Sequence, residues 1–93
     1  MTNKYEAVLI FSVKNGDEAV TALVEKFKAL IEANGTVESV DEWGKRRLAY
    51  LIDDEPEGYY AIYTFDATPE FPVEFERVAK ITDGVLRVMT VRK

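Results

Sequence analysis

The sequence contains no cysteine and no histidine. The first absence excludes a disulfide framework and any thiolate metal site, and it fits a reducing compartment. The second removes the usual general base at neutral pH and the commonest transition-metal ligand. The only serines, Ser12 and Ser39, have no base near them in sequence, and there is no glycine-rich phosphate loop. Neither catalysis nor a bound metal or cofactor is expected. Positive charge is also scarce: 12 Lys and Arg stand against 17 Asp and Glu, a net charge of −5, which argues against a general nucleic-acid binder. Long apolar runs are missing too. The opening MTNKYEAVLIFSVKNGDEAV has one short apolar run, interrupted by Ser12 and closed by Lys14-Asn15-Gly16. It is too short to span a bilayer and lacks a small-residue cleavage site, so a soluble, unexported, cytoplasmic protein is expected.

What is present suffices for one core. With 93 residues, 47% of them hydrophobic, a single domain over 1–93 is expected. Tyr5 to Val13 is apolar except at Glu6 and Ser12, as in a central strand buried on both faces. From Asp17 to Ala33, Val20, Leu23, Val24, Phe27, Leu30 and Ile31 recur at helical spacing, with Asn15 or Asp17 as N-cap and Asn34-Gly35 ending the helix through a residue tolerant of positive φ. Thr36 to Ile52 reads as a long strand bent by a bulge at Gly44. The turn cluster Asp53 to Gly58 then reverses it into a strand over Tyr59 to Phe65. A second helix, opened by Pro69 and Pro72 within its first turn and running to about Lys80, buries Phe71, Phe75, Val78 and Ala79. Asp83-Gly84 leads into a last strand, Val85 to Arg92. This order is the split βαβ, ferredoxin-like α+β pattern: a four-stranded antiparallel sheet with the first and third strands central and two helices on one face. The other face is left with more apolar side chains than solvent requires.

Charge is local within this frame. Trp43 to Ile52, WGKRRLAYLI, sets Lys45, Arg46 and Arg47 among aromatics between acidic flanks. From Arg77 onward, five cations face Asp83 alone, while the rest of the chain holds four cations and sixteen acids. Cations and aromatics on a strand suit an RNA surface, since the former neutralise phosphates and the latter stack on unpaired bases. An exposed strand with solvated charges reads the same way. The RNA reading requires the fold to bring the two basic segments together.

Gly44, Arg46, Leu48, Ala49, Tyr50 and Ile52 stand where a W/L-G-x-R-x-L-A-Y-P-I signature needs them. Tyr5-Glu6, Gly58-Tyr59-Tyr60 and Val85-Leu86-Arg87-Val88-Met89 follow in order. In these features the chain resembles the family of the sixth protein of the bacterial small ribosomal subunit, over nearly its whole length. It departs at Leu51, where the family usually has proline, and in ending at Lys93, where many relatives continue into a polar tail. The resemblance implies the ferredoxin-like fold and a structural, non-catalytic role. It also implies binding to the central domain of 16S rRNA as a heterodimer with the eighteenth small-subunit protein, the isolated chain being a monomer. Arg46 and Arg87 match the family's basic positions, and the expected RNA contacts are Arg46, Arg47 and Arg87, with Lys45, Lys80 and Arg92 as further candidates. Expected partner contacts are Trp43, Leu48, Tyr50, Tyr60 and Met89, although stacking on bases or burial in the core are open alternatives for Trp43 and Tyr50. The rival reading is a ferredoxin-like ligand-sensing or dimerisation module, which would use the same apolar face for its own dimer.

Overall fold

Alternation in the central strands decides which residues meet the helices. In the computed structural model, which describes residues 2–52 and 55–93, the chain runs β1 (Asn3–Phe11), α1 (Asp17–Asn34), β2 (Gly35–Ile52), β3 (Glu55–Ala67), α2 (Phe71–Lys80) and β4 (Val85–Arg92). All pairings are antiparallel in the order β2-β3-β1-β4, so the first and third strands are central as expected. Tyr5, Ala7, Leu9 and Phe11 of β1 and Ala61, Tyr63, Phe65 and Ala67 of β3 point at the helices and form the core with Val20, Val24, Phe27, Ile31, Phe71, Phe75 and Ala79. An aromatic chain threads this layer, with Phe27 between Phe11 at 6.0 Å and Phe75 at 5.5 Å. Such ring pairs add about 0.5–1.5 kcal/mol each beyond the area they bury.

Several local expectations are corrected. Gly16, not Asn15 or Asp17, is the N-cap of α1, at φ 90° and with no side-chain cap. The Gly16 amide closes a turn on the Val13 carbonyl at 3.2 Å, and the chain then enters the helix through a positive φ at Gly16 that glycine accepts without penalty. Gly35 does not end the helix through positive φ, since it is extended at φ −175°. It is glycine because a Cβ there would lie 2.1 Å from the Asp66 carbonyl oxygen. Pro72 lies in the first turn of α2, whereas Pro69 precedes the cap residue Glu70. Pro69 occupies the second position of a turn closed by the Phe71 amide on the Thr68 carbonyl, a place its fixed φ suits. The turn expected over Asp53 to Gly58 is shorter, because β3 already starts at Glu55; Asp53 and Asp54 fall outside the described residues. Pro56 is tolerated there because β1 ends opposite Tyr59, leaving no ladder partner on that side.

Candidate nucleic-acid and partner interface

The sheet face away from the helices carries the candidate residues. Register places Val8, Ile10, Tyr60, Ile62, Met89 and Val91 on it, with Val8 opposite both Ile62 and Met89, Ile10 opposite Tyr60, and Glu6 opposite Val91. Ile10 is buried, whereas Met89 and Val91 are 47% and 46% exposed. Val8, Ile10, Tyr60, Arg87 and Met89 line a depression of about 250 Å³ in this face.

β2 reaches this face through a bulge. The register shifts between Glu42 and Gly44, leaving Trp43 as the extra residue, and Gly44 takes φ +83°. The Trp43 ring stacks on Tyr60 at 6.4 Å and 14°, its indole N–H donating to the Asp41 carboxylate at 2.9 Å. On the opposite face the Tyr59 hydroxyl donates to Glu42 at 2.8 Å. That bond holds the phenol's proton and raises its pKa. The bulge is thus clamped from both sides, with Trp43 half-exposed over Tyr60.

Beyond the bulge the cations separate. Lys45, Arg46 and Arg47 lie opposite Tyr59, Gly58 and Glu57 in regular register, so Arg46 shares the open face while Lys45 and Arg47 point the other way. Gly44, Tyr60, Ile10 and Arg87 form one row across the sheet, with the Arg46 and Arg87 strands at opposite edges. Three strand spacings, roughly 14 Å, divide them. The two groups of cations therefore do not meet as expected; instead the β2–β3 hairpin outruns β1 and folds over the open face, bringing a different part of β2 to Arg87. Leu48 packs beside Ile10 and Gly58, where a Cβ on Gly58 would sit 2.4 Å from Ile10 Cγ2. At 8% exposure Leu48 leaves little surface for a partner. Farther along, the Arg87 guanidinium donates to the Tyr50 hydroxyl at 2.8 Å. The junction is therefore an arginine and a tyrosine, not two groups of cations.

The remaining candidates are dispersed. Lys80 lines a shallow recess beside Arg87 and stands 3.9 Å from Glu76. Arg92 pairs with Tyr5, five residues along β1 from the partner of Arg87, and donates to Asn3 at 3.2 Å. It stands about 17 Å from the Arg87 row. Arg77 binds Glu74 on the helix surface, holding that carboxyl below its ordinary pKa. Among the described residues, Lys45, Arg46, Arg47 and Arg87 form no ion pair, and no group of three metal-ligating side chains converges. Two contacts were not visible to sequence reasoning: Tyr50 with Arg87, and Ser12, whose buried hydroxyl donates to Glu55 at 2.6 Å at the start of β3. Both join residues 37 or more positions apart, and no local spacing signals either.

The fold defines the class: a ferredoxin-like α+β protein with one sheet face covered by helices and the other open. The family profile described as "Ribosomal protein S6" matches residues 4–92. Small ribosomal subunit protein bS6 of Clostridium perfringens is 50% identical over 91 residues, 97% of this chain and 96% of that protein. The same protein of Clostridium novyi is 52% identical over 88 residues, 94% of this chain and 93% of that one. The crystal structure of 30S ribosomal protein S6 from Thermotoga maritima superposes with a TM-score of 0.93 at 28% identity, covering all of this chain and 89% of that one. The chain belongs to the ribosomal protein S6 family.

Proposed function

We propose that the chain is a non-catalytic structural component of the bacterial small ribosomal subunit, working in the cytoplasmic ribosome. It binds the central domain of 16S rRNA together with the eighteenth small-subunit protein. The observation that carries this reading is an apolar sheet face rimmed by Arg46 and Arg87, both without an ion-pair partner among the described residues, in a chain of the S6 family. Apolar side chains give a protein partner area to bury at roughly 25 cal/mol per Å², and the arginines neutralise phosphates. A body of net charge −5 has weak RNA affinity alone, so a cationic partner supplies the missing phosphate contacts. The test is Arg46→Ala with Arg47→Ala in subunit assembly. Both side chains are exposed, so the melting temperature should hold, the folding contribution of such charges being at most about 1 kcal/mol, while incorporation into small subunits falls. Incorporation equal to wild type at physiological salt would remove the RNA role from this strand.

A further inference from the structure

We propose that Tyr50 and Arg87 form one phosphate-binding unit in which Tyr50 is the positioning residue. This rests on the reading above and names the chemistry at one point of the interface. The Tyr50 hydroxyl accepts a hydrogen bond from Arg87, so its own proton is free to point outward as a donor. Arg87 uses one of its five N–H groups on Tyr50 and keeps the others. Two side chains from opposite edges of the sheet thus offer an incoming group donors only. The recess beneath them is lined by Ile10, Leu48, Ala49, Ile52 and Tyr60, and no carboxylate lines it among the described residues. A donor-only pair on an apolar floor suits an anion with at least two acceptor oxygens. The phosphodiester of RNA fits best, because it presents two acceptor oxygens to these donors and Arg87 itself has no ion-pair partner among the described residues.

The hydrogen bond also freezes a long side chain. An unheld arginine samples many rotamers and loses that freedom on binding, whereas here a hairpin held by Leu48 over Gly58 and by Ser12 on Glu55 fixes Tyr50, which fixes Arg87. Tyr50 is 63% exposed, so removing its hydroxyl leaves the core untouched.

The experiment measures binding of the full chain, with its proposed protein partner, to a central-domain RNA fragment across a salt series. The variants are Tyr50→Phe, Arg87→Ala and the pair. Arg87→Ala should weaken binding about tenfold and lower the slope of log affinity against log salt by about one. Tyr50→Phe should weaken binding several-fold with the slope unchanged, because no charge is lost. The double variant should lose less than the product of the two single losses, since part of what the hydroxyl does is done through the guanidinium. If Tyr50→Phe binds RNA as wild type does, or the two losses multiply, the paired unit is overturned while the RNA reading stands. If Arg87→Ala loses nothing, the RNA reading of this edge itself fails. A Tyr50→Phe defect confined to protein-partner binding without RNA would show that the pair takes a carboxylate, which also overturns the phosphate assignment.

Discussion

Tyr63 is fully buried, and its hydroxyl donates to the Val24 carbonyl at 2.9 Å. Burial raises its pKa well above the ordinary 10.0. Because the folded state holds the neutral phenol, this stabilisation is complete below pH 10.0 and is lost as pH rises, the unfolded chain ionising first. Tyr63→Phe should cost about 1 kcal/mol at neutral pH and flatten the alkaline fall in stability, seen by comparing urea midpoints with wild type up to pH 11 (about one unit above the tyrosine range). Two glycines differ in the same plain way. Gly35→Ala puts a Cβ onto a backbone oxygen and should cost about 2 kcal/mol or more. At Gly44 space is open but φ is positive, so Gly44→Val should cost about 1–2 kcal/mol through strain, more than Tyr50→Phe costs. A valine variant as stable as wild type in a denaturant titration would mean that the strand can run regularly through this position. The Gly44 bulge was readable in sequence because glycine interrupts an otherwise strand-like run. The role of Gly35 was not, because its neighbour Asp66 is distant in the chain.

At the level of elements, the outer end of the β2–β3 hairpin, where it runs past β1, folds onto rather than into the sheet. Where it leaves the sheet it is held by Leu48 over Gly58, farther out by Tyr50 to Arg87, and at the start of β3, beside the turn, by Ser12 to Glu55. Ser12→Ala should cost about 1–2 kcal/mol, and amide exchange over residues 45–58 should quicken more than in the Tyr5–Phe11 core. Uniform acceleration across the sheet would show that the hairpin is not a separate unit. The helices needed no such help to be seen. Their apolar spacing marked Val20, Val24, Phe27, Ile31, Phe71, Phe75 and Ala79, which are buried, and Leu23, Leu30 and Val78, which are only partly so. Their ends were less legible, since a cap depends on how the chain enters the helix, and Gly16 serves there through its backbone alone.

For the whole molecule, the arrangement of charge and apolar surface sets the expected assembly. An uncovered face with half-exposed Met89 and Val91 beside acids and arginines favours a partner of different composition over a second identical chain. The isolated protein should sediment as a monomer at micromolar concentration, form a one-to-one complex with the eighteenth small-subunit protein, and bind RNA more tightly as that pair. A stable homodimer that ignores the partner would favour the ligand-sensing or dimerisation module instead.

By itself the sequence determined the element order, the central place of β1 and the helix faces, because periods of two and of 3.6 residues are properties of the local backbone; which side of the sheet stays open was fixed by register and packing. Register is less local, and it separated Arg46 from Lys45 and Arg47 when consecutive residues took opposite faces of β2. Only the tertiary structure decided that Leu48 is covered, that Ser12 meets Glu55, and that Tyr50 meets Arg87. Each of those contacts depends on the hairpin outrunning β1 and bending over the sheet, and such a path is set by packing against Ile10 and Gly58 rather than by the composition of the segment that follows it.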